Sequence, residues 1–232
     1  MKKIISVFVV LIAMSCSTKS NNLTVKVDVK GLKKGIIYLK KIKDTSLVTV
    51  DSVVVNGNSN FELHGHVESP EMFFLYLDKN SSEKDRISFF ADKGITEINT
   101  SLKNFAFDAK IKGSKQQKVF EEYQTFISKS NNRNLDLLKE AFDAKKNNDT
   151  IKLKAIEKEQ SGALRRKYLY IVNFAINNND SEVSPYLALS EIYDARIELL
   201  DTINQSLTPE VKNSKYGKEL ERFINEIKQE SK

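Results

Sequence analysis

Four polar side chains that could do chemistry recur at every second position of one segment: Glu62, His64, His66 and Glu68. Residues two apart on a β-strand share a face, so a strand here would place all four in one row. Two neutral imidazoles flanked by carboxylates are suitable ligands for zinc or copper, which makes the row a candidate metal site. The competing interpretation is that the intervening apolar residues face the core and that the row is the solvent side of the strand.

Other groupings also have both a chemical and a structural interpretation. Four aspartates could serve acid–base catalysis, but they lie at or near predicted turns, where their local hydrogen bonds favour them: Asp44, Asp51, Asp78 and Asp85. The basic run Arg165–Lys167 could contact an acidic partner or a lipid headgroup, or it could be the solvated face of a helix. Five aromatic residues could line a ligand groove, although we expect them in the core: Phe73, Phe74, Tyr76, Phe89 and Phe90.

Motifs of the common enzyme classes are missing from the sequence. It contains no Gly-x-Ser-x-Gly nucleophile motif, no glycine-rich phosphate loop and no dinucleotide fingerprint. Its single cysteine, Cys16, leaves no disulfide, no Cys-x-x-Cys redox pair and no thiolate metal site. We therefore predict a protein that is not an enzyme and needs no cofactor.

Cys16 ends an N-terminal segment that is typical of a removable signal. Two lysines precede an apolar run, Ile4–Met14, that is about half as long as the roughly twenty residues of a membrane-spanning helix. The stretch Ala13–Cys16 resembles the cleavage site of bacterial lipoprotein signal peptides. This resemblance implies removal of residues 1–15, acylation of Cys16 and an effectively permanent anchor in the lipid bilayer. In the alternative, an ordinary secretory signal leaves Cys16 as a free thiol.

The residues after Cys16 predict a location. Residues 16–22 are mostly small or polar and predict a tether between the lipid and the folded part. Ser17 stands where an aspartate would resemble an inner-membrane retention signal, so we expect the outer membrane. The tether lacks an acidic run that would resemble a surface-export signal, which favours the periplasmic side. The net charge of +6 then indicates a solvated surface and no nucleic-acid partner.

Glycine usage divides the chain into a turn-rich and a turn-poor half, because six of the eight glycines lie before residue 114. Alternating apolar and polar residues predict a first strand, Leu23–Val29. Seven further strand-like segments follow, with a hairpin turn at Asn56–Asn60: Ile36–Leu39, Leu47–Val55, Phe61–Val67, Met72–Leu77, Ile87–Ala91, Ile95–Thr100 and Phe105–Ile111. Short strands at this spacing predict an antiparallel β-sandwich or open barrel over residues 23–113.

The hydrophobic period becomes helical after Gly113, so residues 114–232 are predicted to form an all-α domain and the fold class is α+β. Ser114 and Gln117 have the spacing of a capping box. Ser184 with Pro185, and Thr208 with Pro209, predict further helix starts. Apolar residues at helical spacing predict these buried stripes: Val119, Phe120, Tyr123, Phe126 and Ile127; Leu135, Leu138 and Phe142; Leu153, Ile156, Leu164, Tyr168, Ile171 and Ala175; Leu189, Ile192, Leu199 and Ile203; Tyr216, Leu220, Phe223 and Ile227.

Turn and core residues of the first half form a family pattern: Gly31-Leu32, Ile37–Lys40, Asp51-Ser52-Val53, Phe61, Gly65, Glu71-Met72-Phe73, Gly94-Ile95 and Gly113-Ser114. With these residues, the stretch 25–114 resembles a domain of unknown function found in bacterial lipoproteins. In that family the domain typically precedes a helical linker and a thioredoxin-like domain, in proteins labelled thiol:disulfide interchange proteins. Residues 184–189 and 214–218 resemble the linker. The sequence ends at Lys232 without a Cys-x-x-Cys, so we do not transfer the redox activity.

Three hypotheses about function follow from the sequence. The first is a non-catalytic envelope lipoprotein that acts as a binding or interaction module. The second is an accessory to a separately encoded thioredoxin-like protein, which would be its partner. The third is a metal-dependent enzyme of unrecognised type at His64 and His66. The ligand and the oligomeric state cannot be deduced from the sequence.

Overall fold

The computed structural model describes residues 20–77 and 85–230. The predicted signal, Cys16, most of the tether and Asp78 lie outside these residues. Within them, no helix combines the length and the apolar character needed to cross a membrane.

The described part of the first half forms eight strands: β1 (Leu23–Lys30), β2 (Lys34–Lys43), β3 (Ser46–Asn56), β4 (Asn60–Gly65), β5 (Glu71–Leu77), β6 (Ile87–Ala91), β7 (Gly94–Ser101) and β8 (Lys110–Lys112). They build two four-stranded sheets. The order β4-β1-β7-β8 forms the outer sheet, and the order β3-β2-β5-β6 forms the middle sheet. The predicted α+β class is confirmed, with a sandwich of two sheets in place of an open barrel.

One strand pair departs from the expected antiparallel arrangement. β1 and β7 run parallel, with Leu23 opposite Gly94 and Lys30 opposite Ser101. The chain leaves the outer sheet after β4, passes through β5 and β6 in the middle sheet, and then returns. Because no hairpin joins β1 to β7, their relative direction is set by this excursion and not by a local turn.

The last predicted strand, Phe105–Ile111, is mostly wrong. β8 covers only Lys110–Lys112, and the residues before it form turns. Phe105 is nevertheless buried, and it packs into the core between the sheets from within a turn. Thr100 Oγ1 fixes this turn by donating a 2.6 Å hydrogen bond to the carbonyl oxygen of Phe105. The apolar residues of this segment therefore include Phe105, which fills the core between the sheets from a turn and not from a strand.

β5 is buried on both faces, which makes the middle sheet the centre of three layers. Phe73 and Leu75 join the core between the two sheets. Met72, Phe74 and Tyr76 join a second core that they share with the helices. The aromatic set of the sequence analysis is therefore core, as expected for a strand with no polar alternation.

The described part of the second half forms six helices: α1 (Lys115–Lys146), α2 (Thr150–Asn177), α3 (Val183–Glu191), α4 (Ile197–Ser206), α5 (Pro209–Asn213) and α6 (Lys215–Glu230). The Thr208–Pro209 start is confirmed, since Thr208 caps α5 by accepting from the Val211 amide. Ser184 is not a cap. It lies inside α3, and its hydroxyl donates to the carbonyl oxygens of Ala175 and Asn178.

Ser114 caps α1 as predicted, but Gln117 does not complete a capping box. The Ser114 hydroxyl accepts from the Gln116 amide at 3.2 Å. Gln117 Oε1 instead accepts from the Phe90 amide at 2.9 Å. Since β6 is an edge strand with a free side, this side chain satisfies a buried strand amide and fastens α1 to the middle sheet.

One predicted stripe is exposed. Leu135, Leu138 and Phe142 are 55%, 51% and 70% accessible to solvent. The interface between α1 and α2 at that end contains Leu137, Ala144 and Ile156 in its place. The partly apolar α1 surface carries two neighbouring stripes, and periodicity alone does not identify the one that faces α2. Leu164, on α2, is also exposed, contrary to prediction.

Candidate functional site

The structure places Glu62 and His64 of the predicted metal row on β4 and the other two residues, His66 and Glu68, in the loop that follows it. Both imidazoles are engaged in other contacts. His64 Nδ1 lies 3.4 Å from Thr24 Oγ1, on the solvent side of β4. His66 follows the end of β4, and its Nδ1 lies 2.9 Å from the Ser20 carbonyl oxygen. Because a carbonyl only accepts, Nδ1 of His66 must carry the proton. Across residues 20–77 and 85–230, no group of three or more His, Cys, Asp or Glu side chains is arranged to hold a metal ion.

His66 belongs to the structure that fixes the start of the fold. The Asn22 side chain donates to the Val67 carbonyl oxygen at 2.8 Å and accepts from the Val67 amide at 2.9 Å. Together with the His66–Ser20 contact, this holds the incoming chain against the loop after β4. The interpretation as the solvent side of a strand therefore fits Glu62 and His64, while His66 has a structural role.

Charged side chains concentrate where the sandwich meets the helices, in two adjoining clefts. The first, the Glu71 cleft, has a volume of about 630 Å³ and is lined by Asn21, Lys41, Ile42, Lys43, Asp44, Val50, His66, Glu68, Ser69, Glu71, Asn213, Lys215, Lys218 and Glu219. The second, the Glu182 cleft, has a volume of about 850 Å³ and is lined by Glu68, Ser69, Pro70, Asp92, Lys93, Lys115, Gln116, Asp180, Glu182, Thr208, Pro209, Glu210, Asn213 and Ser214. Shared residues of the β4–β5 loop separate the two.

Glu71 forms the wall of the first cleft with two lysines. Its Oε1 accepts from Lys41 of β2 at 2.6 Å, and its Oε2 accepts from Lys215 at the start of α6 at 2.7 Å. Each ammonium also donates to a backbone carbonyl, Lys41 to His66 and Lys215 to Ile42. Glu71 is only 4% exposed, and both of its oxygens are paired, as a buried carboxylate requires. This arrangement joins the sandwich to the last helix.

The neighbouring backbone strengthens the same junction. The Lys215 amide donates to Ser69 Oγ, and the Met72 amide donates to the buried Tyr216 hydroxyl at 3.0 Å. Burial raises the pKa of Tyr216, so the phenol stays neutral at physiological pH. Gly217 allows α6 to approach α5 closely, because a Cβ at this position would lie 2.0 Å from the Val211 carbonyl oxygen.

The Glu182 cleft is acidic in a protein of positive net charge. Five carboxylates and two lysines contribute to its lining. Lys115 pairs with Asp180 at 3.0 Å, and both side chains of this pair are exposed. Asp92, Glu182 and Glu210 therefore give this cleft a negative charge.

Glu182 is the buried acid of this cleft. It directly precedes α3 and is 5% exposed, and its Oε2 has no hydrogen-bond partner among residues 20–77 and 85–230. Burial raises the pKa of the Glu182 carboxyl, and the nearby charges of Asp92 and Glu210 raise it further. A hydrogen bond from the backbone amide of Glu182 itself and the charge of Lys115 act in the opposite direction.

The sequence analysis singled out neither Glu71 as a charged site nor Glu182 at all. The available signal was positional: Glu71 directly precedes an apolar run that has no polar alternation, and Glu182 directly precedes a helix. A carboxylate at such a boundary becomes buried only if distant elements close over it. Here the closing partner of Glu71 is 144 residues away.

The first half of the chain also has a recognisable relationship. Residues 22–120 match the family model of a domain of unknown function (DUF4369). This match agrees with the resemblance seen in the sequence, whereas the lipoprotein context and the connection to thioredoxin-like proteins stay predictions. No curated protein and no solved structure matches the chain.

The segment that matches the family model extends beyond the last strand into the first turns of α1. Those turns carry Gln117, bonded to the β6 backbone, and Phe120, whose ring packs edge-on against Phe90 at 5.5 Å. The start of α1 is therefore physically part of the sheet domain. Lys215 and Glu182 lie outside the matched segment, so each cleft combines residues of that segment with residues of the helices that follow.

Proposed function

We propose that this protein is a non-catalytic envelope lipoprotein that acts as a binding module. Cys16 would carry the lipid anchor in the outer membrane, and residues 16–22 would tether the folded part on the periplasmic side. The N-terminal sequence supports this location through its lysines, its short apolar run and its cysteine.

The observation that carries the binding role is the pair of charged clefts at the junction of sandwich and helices. Clefts of about 630 and 850 Å³ fall in the size range of ligand sites. Their walls are held by hydrogen bonds between elements distant in sequence, such as Glu71–Lys215. A preorganised charged surface of this kind favours recognition, since little side-chain ordering is needed when a ligand binds.

Site-specific photocrosslinking in intact cells tests the binding role. A crosslinking amino acid at Lys93 would report contacts at the Glu182 cleft, and the matched control replaces Lys30, another exposed lysine. Lys30 lies at the opposite end of the β1–β7 pair, about 23 Å away along the strands. We expect a discrete adduct from position 93 that position 30 does not give. Identical patterns at both positions, or none at either, would contradict the proposal.

Mass analysis tests the anchor. The native protein should carry fatty acids on Cys16, and a Cys16→Ser variant should move from the membrane fraction to the soluble fraction. A native polypeptide without acyl chains that partitions into water would contradict the lipoprotein assignment.

A second proposal is that the partner is a separately encoded thioredoxin-like protein. The family resemblance supports it, together with the DUF4369 match at residues 22–120. Affinity purification of the native protein from solubilised envelopes should then recover a protein with a Cys-x-x-Cys motif. Recovery of other partners alone would favour the more general binding role.

A further inference from the structure

The Glu182 carboxylate is a buried acid that lacks a partner within the described chain. Its Oε2 has no hydrogen-bond donor among residues 20–77 and 85–230, although the residue is 5% exposed. Removing an ionised carboxylate from water is costly unless a cation or hydrogen-bond donors compensate for the loss. Within residues 20–77 and 85–230 nothing satisfies this oxygen, so it is available to accept from a ligand.

The surroundings hold Glu182 in place without neutralising it. Ser181 donates to Gln116, which ties the start of α3 to the start of α1. Thr208 donates its amide to the Asn179 carbonyl oxygen at 3.1 Å and so positions α5, whose first turn carries Glu210. The cleft thus presents Glu182 and Glu210 from two anchored helix starts. Asp92, which follows β6, provides a third carboxylate.

Lys115 opposes the charge of these acids only through space, without an ion pair to any of them. The Lys115 ammonium pairs with Asp180, and the two side chains are 71% and 60% exposed, so the pair lies at the surface. Lys93 is exposed, next to Asp92. Three carboxylates consequently line one cleft, with Glu182 inside it and Glu210 at its exposed rim, and no lysine of the cleft forms an ion pair with any of them in the described part of the chain.

We propose that the Glu182 cleft binds an organic cation, an ammonium or guanidinium group, with Glu182 as its main acceptor and Asp92 and Glu210 as further acceptors. The ligand class deepens the binding function proposed above and rests on it. A metal ion fits less well, because no three acidic or histidine side chains of the described residues are arranged around one point. An organic cation has several donors spread over a larger volume, and about 850 Å³ accommodates such a group with the molecule that carries it.

Isothermal titration calorimetry of the full-length protein in detergent tests this proposal with two probes. Agmatine represents a free amine ligand, and acetyl-Gly-Arg-Gly-amide represents the arginine of a protein partner. The peptide's control contains citrulline, which has nearly the same shape but no charge. Binding of either probe, at least tenfold tighter than citrulline peptide, supports the proposal and distinguishes the two sources. Equal binding of the arginine and citrulline peptides, without agmatine binding, overturns it.

Three variants locate the binding. We expect Glu182→Gln to weaken binding at least tenfold and Glu210→Gln, at the rim, to weaken it about threefold. The matched control Glu221→Gln removes the same charge at an exposed site on α6 and should leave affinity unchanged. A thermal melt of each variant confirms that it is folded. Wild-type affinity in both cleft variants would overturn the proposal. Crosslinks from position 93 in cells would then still support a binding role, so the two failures are distinguishable.

Discussion

Two buried carboxylates lie at the junction of sandwich and helices, and Glu71 and Glu182 differ in how their charge is compensated. Glu71 is buried with both oxygens paired to lysines, whereas Glu182 is buried with one oxygen unpaired. When a buried carboxylate is paired, removing either partner destabilises the fold, because the other charge is left buried without compensation. An unpaired ionised carboxylate costs stability, because its hydration is lost without compensation. The two residues therefore have different expected mutational signatures.

Glu71→Gln should destabilise the protein by about 2–3 kcal/mol, because it removes charged hydrogen bonds to Lys41 and Lys215 in a poorly solvated site. Urea unfolding followed by circular dichroism measures this change. The control is Glu62→Gln, which breaks an exposed pair with Lys26 at 3.6 Å and should cost less than about 0.5 kcal/mol. Equal effects at the two positions would show that the Glu71 pairing does not stabilise the junction.

Glu182 should give the stability of the protein a pH dependence of definite sign. Its pKa is raised in the folded state above the ordinary value of 4.5, so the folded chain binds more protons in the interval between the two values. The free energy of unfolding contributed by Glu182 therefore falls as pH rises through that interval. The charged side chains that act on the Glu182 carboxyl are Asp92, Glu210 and Lys115.

Glu182→Gln removes this contribution and leaves the other groups in place. The variant should match the wild type near pH 4 and become more stable than it toward pH 7, by about 0.5–2 kcal/mol, which is the usual range for a single stabilising substitution. Thermal denaturation across this pH series measures the difference. A difference that shrinks with rising pH would contradict the unpaired buried charge.

At the scale of elements, local patterns predicted the strands well and their partners poorly. Seven of the eight predicted strand segments are present, and the eighth, Phe105–Ile111, overlaps β8 only at its end, because apolar alternation directly reflects one buried face only where the chain is a strand. The parallel β1–β7 pair and the inward turn at Phe105 depend on contacts between segments far apart in the chain. Gln117 shows the same limit. Its spacing from Ser114 is the same whether its side chain completes a capping box or, as here, accepts from a strand amide. Glu71 and Glu182 were also not predicted, because their burial depends on elements far apart in the chain.

Two adjacent leucines of α1 test the corrected helix face. Leu137 is 0% exposed in the α1–α2 interface, whereas Leu138 is 51% exposed. We expect Leu137→Ala to cost about 2–3 kcal/mol, since it leaves a cavity, and Leu138→Ala to cost less than about 0.5 kcal/mol. Hydrogen exchange of the α1–α2 amides is the appropriate measurement, because this end of the hairpin can open locally. A larger effect at Leu138 would contradict the structure and support the predicted stripe, which contains Leu138, as the face that packs on α2.

For the whole molecule, the three layers make the sheet domain dependent on the helices. Met72, Phe74, Tyr76 and Phe90 contribute the sheet side of the core that includes Leu220 and Ile224 of the last helix. A family match that ends at residue 120 therefore does not mark an independent folding unit. The sequence boundary at Gly113 separates strands from helices, but the second core crosses it.

A fragment of residues 20–120 should consequently fail to form a monomer with fixed tertiary structure, because its exposed aromatic face exceeds what a soluble surface tolerates. Size-exclusion chromatography and binding of the dye ANS measure this, with residues 20–230 as the control. We expect the fragment to aggregate or to bind the dye strongly. A monomeric fragment that unfolds cooperatively and ignores the dye would show that the outer two layers are self-sufficient.

The fixed start of the fold would limit how far a lipid-anchored molecule can lie from the bilayer. Asn22 is clamped to Val67, and Asn21 lines the Glu71 cleft. Five peptide units separate Cys16 from Asn21, and even fully stretched they reach about 18 Å. In a molecule held by lipid at Cys16, the Asn21 edge of this cleft would therefore stay within that distance of the lipid attachment point. Solutes would then approach it along the membrane surface.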